Sequence, residues 1–300
     1  MKFKGQQWIL IGLLLVVISG AVGMGKIMYN QHRVTEAINT QKEEQHHIAK
    51  QYEEKEAAWK ETQKQLDEEI TSLLQSSSAV AGIEAYDLIN KETFRFNANL
   101  SFKAGDTLRI PLAMMVADKI QAHQLSLDDK ITYQDSYYET GDGEIKKQPK
   151  ESYTIKELLR LMLVSNDNIA TNMLEDIVGG EKAILPYIQV NYNNKQKTDK
   201  PIITPSLAVH YLRLLYDNKD GNPVYDDIQK WMMSADTGGL ATDKTKDKMG
   251  HHASSNHEYN HDIGIYYSDH PYIIAIYTKG SQQSSSLVEQ ISDMINKSFK

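Results

Sequence analysis

Three short runs of polar side chains are placed to do chemistry. Asp106 and Arg109 lie three residues apart at the head of an apolar run, Leu112 to Ile120. Three residues is close to one helical turn, so the two side chains share a face. A carboxylate and a guanidinium so placed form an ion pair, and an arginine holds its proton too tightly to act as a base. Ser165-Asn166-Asp167-Asn168 offers a hydroxyl and two amides. Lys248-Met249-Gly250 offers a cation beside a residue that lets a ligand come close to a strand. Five of the ten histidines, His251, His252, His257, His261 and His270, crowd into twenty residues with Glu258 and Asp262. Such a cluster suits zinc, with His251, His257 and His261 as the candidate ligands. Yet His251 and His252 are neighbours on a strand and point to opposite faces. Polar loop residues are the expectation there, with no metal and no cofactor.

The elements that must position these residues occupy only part of the chain. From Gly5 to Gly25 there is no charged residue, and Trp8 to Val17 is almost continuously apolar. About 20 apolar residues suffice to cross the hydrocarbon core, so residues 1–25 read as a cytoplasmic tip and transmembrane anchor. The rival is a signal peptide with a small-residue site at Ser19-Gly20-Ala21. Residues 26–75 are rich in Glu, Lys and Gln, with Ile38, Gln45, Tyr52, Trp59, Leu66 and Leu73 every seven residues. The second seam, Gln41, Ile48, Lys55, Thr62 and Glu69, is poorer. A helical stalk of ~75 Å follows at 1.5 Å per residue, either a coiled-coil homodimer or a solitary solvated helix.

Residues 76–300 are globular in texture. Val80 to Leu88 reads as a strand with Lys91 to Asn97 as its hairpin partner. Thr154 and Glu157 form a capping-box pattern ahead of a helix, and Ser206 to Tyr216 reads as another. Asp262 to Tyr267 and Tyr272 to Thr278 read as strands before a last helix, Ser286 to Phe299. Strands at both ends around a helical middle predict an α+β fold, with the chain ends sharing one antiparallel sheet. Cysteine is absent, which excludes disulfides, thiolate metal sites and a cysteine nucleophile. A net charge of −7 argues against a nucleic-acid partner.

The order of these fragments resembles the class A β-lactamase and penicillin-binding protein superfamily of serine hydrolases. Tyr86-Asp87-Leu88 with Phe96-Asn97-Ala98-Asn99 is similar to the family's first hairpin. Phe102 to Pro111 stands where the family carries its nucleophile, Leu163 to Asn172 resembles its second motif, and Lys248-Met249-Gly250 its third. The resemblance implies a serine with a lysine three residues on, a serine in the second motif and a lysine on a strand. Here those positions carry Asp106 and Arg109, Asn166 beside Asn168, and Lys248 with Gly250. Ser-x-x-Lys occurs nowhere in the chain. A register one residue earlier would restore Ser165. The family's water-activating glutamate also has no counterpart, since Ile184 to Ile203 holds only Asp199 as an acid.

What the resemblance implies is therefore a scaffold without its chemistry. The sites expected to bind without reacting are Asn168, Lys248, Gly250 and the backbone N–H of His251, one half of an oxyanion hole in the family register. The implied role is a pseudoenzyme on the outer side of a cell membrane, binding a peptidoglycan stem peptide or a cell-wall synthesis protein. The alternatives are a divergent hydrolase of β-lactamase or D-Ala-D-Ala peptidase type, acting through Asp106, Thr107 or Ser165, and a structural protein acting through its stalk. Absent cysteine and abundant Asn, Lys, Ile and Tyr fit a Gram-positive exported protein.

Overall fold

Helix α1 (Phe3–Ser77) opens the chain. The computed structural model describes residues 3–191, 201–235, 238–256, 258–280 and 284–299. The almost continuously apolar run behind the expected anchor, Trp8 to Val17, has its side chains outside that description. Among the described residues no helix is long and apolar enough to cross a membrane.

The chain separates into two units, Met1–Thr62 and Gln63–Lys300. In the first, the described side chains from Ser19 to Ala58 are exposed. Glu–Lys pairs one turn apart, such as Glu56 with Lys60 at 2.7 Å, line the helix. The last turns of α1 belong to the second unit. There Leu66 and Ile70 are buried, and Gln63 Nε2 donates to the Thr93 carbonyl at 2.8 Å.

The second unit begins with the expected hairpin, β1 (Val80–Asp87) and β2 (Thr93–Phe96), in antiparallel register with Ile83 opposite Phe96. A short β3 (Phe102–Lys103) and a 3₁₀ turn at Gly105–Leu108 lead into α2 (Arg109–Gln121). Ile110, Leu112, Ala113, Met114 and Val116 of α2 are buried. Strands β4 (Lys130–Thr132) and β5 (Ser152–Thr154) pair before α3 (Ile155–Val164). The capping box forms as read: Thr154 Oγ1 accepts from the Glu157 N–H, and Glu157 accepts from the Thr154 N–H at 2.9 Å. Helices α4 (Asn168–Val178) and α5 (Glu181–Asn191), strand β6 (Ile202–Ile203) and helices α6 (Pro205–Asp217) and α7 (Pro223–Met232) complete the helical middle.

Strands β7 (Met249–Ser255), β8 (Asn260–Tyr266) and β9 (Tyr272–Lys279), then α8 (Ser284–Ser298), close the chain. The sheet order is β2-β1-β9-β8-β7, and each neighbouring pair is antiparallel. Strands β1 and β9 pair over their whole length, from Val80 opposite Lys279 to Asp87 opposite Tyr272. That pairing joins the two ends of the domain, so the α+β expectation holds. β7 is an edge strand, and its far end meets the 3₁₀ turn that carries Asp106.

Candidate ligand-binding cleft

The cleft starts from one glycine. Gly105 has φ +53, and a Cβ there would overlap Ser254 Oγ and lie 2.6 Å from the Tyr259 hydroxyl. Only glycine takes that conformation and that contact without strain. The turn thus seats Asp106 against β7, and the Asp106 N–H donates to Ser254 Oγ at 2.9 Å.

Arg109 is the centre of the site. Its residue is 4% exposed. Nη2 donates to Asp106 Oδ1 at 3.1 Å and to Asn168 Oδ1 at 2.6 Å, while Nη1 donates to Asn166 Oδ1. Asn166 Nδ2 returns a hydrogen bond to Asp106 Oδ2 at 3.3 Å, and Asn168 Nδ2 donates to the Thr140 carbonyl at 2.9 Å. Burial lowers the guanidinium pKa, opposed by the charges of Asp106, Asp167, Glu139 and Asp142. Four residues from the first two motifs therefore close one hydrogen-bonded cluster. The predicted ion pair is present, and Asn166 rather than Ser165 joins this cluster.

Asn166 reaches this position through a left-handed backbone, φ +52, which asparagine tolerates better than most residues. Between the two asparagines, Asp167 is fully buried. It caps α4 by accepting from the Ala170 N–H at 3.0 Å. Its other oxygen accepts from the N–H groups of Glu144 and Ile145 at 2.6 and 2.8 Å. This fixes the 139–147 segment as a wall of the cleft. Asp167 is not among the expected site residues, although an Asp immediately before a helix start is a cap signal in the sequence.

The third motif corrects the sequence reading. Lys248 lies outside β7, with its backbone N–H on the Thr245 carbonyl and its carbonyl holding the Tyr267 N–H. A Cβ on Gly250 would meet Tyr267 and Met233. Both residues sit at the end of the strand remote from the cleft, and Gly250 to Ser255 spans ~17 Å at 3.3 Å per residue. The residues facing the nucleophile position are His252, Ser254 and Ser255, four places later than read. Hairpin pairing sets this register, with Ser255 opposite Asn260, and a Lys-x-Gly string carries no information about it. His252 is buried, and its pKa falls to about 3 through burial first, then Arg109 and His251. It is neutral where the family pattern asks for a lysine.

His251 faces the other side of the sheet, as strand alternation requires. Its Nδ1 lies 3.1 Å from both Asp262 carboxylate oxygens. Burial is the largest single effect on its pKa and lowers it, but the Asp262 charge and hydrogen bond together raise it above the ordinary value. It forms a buried pair behind the cleft, and Ser254, not His251, is the β7 residue that meets the Asp106 N–H. His261 is a core residue, not a loop ligand. Its Nδ1 accepts from the Thr278 N–H at 3.2 Å, its Nε2 donates to the Lys103 carbonyl at 2.9 Å, and its ring stacks on Tyr259. Burial pulls its pKa down to about 4. His257 and Asp199 lie outside the described residues. Among those described, no three His, Asp or Glu side chains gather as a metal site.

The remaining hydroxyl candidates are turned away. Thr107 is fully buried, donating to the Ala104 carbonyl at 2.6 Å and accepting from the Tyr277 hydroxyl at 3.0 Å. Ser165 Oγ donates to Glu144 Oε1 at 2.6 Å. The cleft itself encloses about 340 Å³ and is lined by Asp106, Glu139, Asp142 and Glu175, by Arg109, and by the hydroxyls of Thr171 and Ser255. Arg109 is the one cation among the described lining residues.

This constellation on this sheet defines a class. The description of the β-lactamase enzyme family matches residues 65–299, and the chain belongs to that family. It is 24% identical to β-lactamase VEB-1 of Pseudomonas aeruginosa over 189 residues, covering 56% of this chain and 63% of that enzyme. It is 26% identical to a β-lactamase of Bacteroides uniformis over 220 residues, covering 64% and 72% of the two chains. The chain thus spans less than two thirds of VEB-1. Among solved structures the fold is similar to PBP-A, with a TM-score of 0.72 at 19% identity over 78% of this chain and 96% of that one. A β-lactamase from Xanthomonas campestris superposes with a TM-score of 0.71 at 17% identity over 80% and 99% of the chains.

Proposed function

We propose that this chain is a non-catalytic member of the β-lactamase family, a membrane-anchored domain outside the cytoplasmic membrane that binds a peptidoglycan stem peptide or a cell-wall synthesis protein without cleaving it. One observation carries the reading: the Arg109 guanidinium ties together Asp106, Asn166 and Asn168 at the positions of nucleophile, relay and substrate-amide contact. Acyl transfer needs an oxygen nucleophile whose proton has a base to receive it. Asp106 offers a carboxylate, whose acyl product would be a water-labile anhydride. Arg109 cannot take a proton.

Two further features support the same reading. A carbonyl oxygen arriving at the Asp106 N–H would have to displace Ser254 Oγ, so that donor is not preorganised for an oxyanion. Neutral His252 supplies no charge to draw a substrate carboxylate. What survives is a polar cleft whose carboxylates outnumber its cation. Such a lining favours a ligand presenting an amine, as a stem peptide with a diamino acid does. The uncharged run from Gly5 to Gly25 supports the anchor.

Fluorescent penicillin incubated with the full chain should leave no covalent adduct on a gel or in the intact mass. An adduct that disappears in Asp106→Ala, Thr107→Ala or Ser255→Ala overturns the non-catalytic reading. Titration with a purified muropeptide should shift the amide resonances of Asn168 and Ser255; unmoved resonances at millimolar peptide remove the stem-peptide ligand. Protease added to intact cells should digest the domain if it lies outside the membrane.

A further inference from the structure

The exposed half of α1 carries a feature that the cleft does not explain. Counting the heptad back from Ile38 gives core positions Ile27, Gln31, Val34, Ile38, Gln41, Gln45, Ile48 and Tyr52. None is charged, although Arg33, Glu36, Lys42, Glu43, Glu44 and Lys50 lie between them. Those six fall on the outer or flanking positions of the repeat. The next core position is Lys55, where the uncharged seam stops. Farther on, the seam residue Leu66 is only 2% exposed, buried in the second unit. Ile27, Val34, Ile38, Ile48 and Tyr52 have no such cover, at 44–70% exposure.

A helical stretch as long as residues 19–58 with no buried face among its described residues is poorly supported, because helices in proteins draw most of their stability from packing one face. Its ion pairs one turn apart, such as Lys50 with Glu54 at 3.7 Å, add only tenths of a kcal/mol each. We infer that residues 27–52 pair with a second copy of this chain as a parallel, in-register coiled coil. The self-pairing follows from the seam's composition. In that register every core layer meets its own copy, so isoleucine faces isoleucine and each glutamine amide can both donate to and accept from its twin. Buried amides are tolerated only when paired this way. A fully overlapped antiparallel pair would set Gln31 against Ile48, Val34 against Gln45 and Ile38 against Gln41, leaving each amide facing an aliphatic side chain. No flanking pair in the parallel arrangement sets like charges against each other; Glu44 meets Ala49, and Gln51 meets Glu56. The seam begins just after the anchor proposed above, which would bring two copies in with the same polarity. Only this shared polarity rests on the proposed anchor.

The absence of cysteine makes the test clean. Single variants Ile38→Cys, Tyr52→Cys and Glu43→Cys of the full chain, in detergent micelles, are oxidised mildly and resolved without reductant. Ile38→Cys and Tyr52→Cys should each give disulfide-linked dimers at least tenfold more abundant than Glu43→Cys, which sits on the outer face. Equal cross-linking at Glu43, or none at the core positions, overturns the inference. Cross-linking at Ile38 without Tyr52 overturns the parallel register. As a second reading, light scattering should show the unmodified chain as a dimer and an Ile38→Glu/Ile48→Glu variant as a monomer; a monomeric unmodified chain is equally fatal. Intact mass on the same sample shows whether residues 1–25 are present, so failure of the anchor and failure of the coiled coil are told apart.

Discussion

The hydroxyl of Ser254 accepts the backbone N–H of Asp106 at 2.9 Å, joining the edge strand to the turn that opens α2. Ser254 stands four residues after Gly250 on the same strand, at the point where the side-chain-free residue of the third motif was expected. A hydroxyl in that place satisfies the Asp106 N–H from within the protein.

Freeing that donor should be measurable. Ser254→Gly removes the acceptor and leaves the Asp106 N–H to solvent. Loss of one net hydrogen bond of about 1 kcal/mol should speed exchange of the Asp106 amide about fivefold where exchange proceeds by local opening. Hydrogen exchange read by NMR checks it. An unchanged Asp106 amide would mean that the contact contributes no protection. The double variant Asp106→Ser/Arg109→Lys should remain unreactive to fluorescent penicillin, because Asn166 and His252 still lack the relay hydroxyl and the strand cation.

Arg109 should matter more to stability than any surface ion pair. It is buried and satisfies Asp106, Asn166 and Asn168 together. Removing one partner of a buried charge cluster costs roughly 3–5 kcal/mol, so Arg109→Ala should lower the unfolding free energy by about 3 kcal/mol in urea titration. Asp106→Asn should cost less, about 1 kcal/mol, because its side chain is 35% exposed and solvent screens the pair. Equal effects from the two variants would contradict this picture of Arg109 as the hub.

Much of this arrangement was legible in the sequence because it sits on helices. Asp106 and Arg109 hold a fixed three-residue relation on one face, and Asn168 starts a helix whose cap is visible as Asp167. The β7 register was not legible. Lys248 and Gly250 match a pattern, but the facing of a strand is decided by its partner, and Ser255 opposite Asn260 is a tertiary fact. His261 misled for a related reason: its neighbours in sequence are polar, and its burial comes from Tyr259, Phe102 and Tyr277 packing around the ring. Ser254 was invisible because nothing in its composition marks a serine as the acceptor for a turn 148 residues earlier.

The buried histidines set an acid limit. His252 and His261 are held neutral, with folded pKa values near 3 and 4 against 6.5 in the open chain. Below 6.5 the unfolded chain binds protons that the folded one refuses. Stability from this source is therefore present above pH 6.5 and is lost as pH falls toward 4. Each histidine contributes on the order of 1.4 kcal/mol per pH unit across that window. His251 has the opposite sign, since its raised pKa gives stability that is full below 6.5 and fades as pH rises through the folded value. Urea midpoints between pH 6.5 and 4.5 should fall steeply in the parent chain and about one proton less steeply in His261→Asn. Identical slopes in the two proteins would show that His261 is not buried neutral.

Asp167 ties the cleft wall to α4, so its loss should act locally before it acts globally. Its carboxylate accepts three backbone N–H groups, from Ala170 at the helix start and from Glu144 and Ile145 in the wall. Gly143 allows this closeness, since a Cβ there would lie 2.5 Å from Asp167 Oδ2. Asp167→Ala strands three buried or half-buried donors, each costing about 1 kcal/mol or more. Unfolding free energy should fall by about 3 kcal/mol. Amide exchange across residues 139–147 should accelerate at least tenfold under native conditions, while the β1–β9 pairing keeps its protection. Asp167→Asn, which keeps one acceptor oxygen, should recover the helix cap and lose the wall contacts, with intermediate exchange in the same segment. If exchange rises uniformly across the domain instead, Asp167 is a core residue in the ordinary sense and the wall is held by something else.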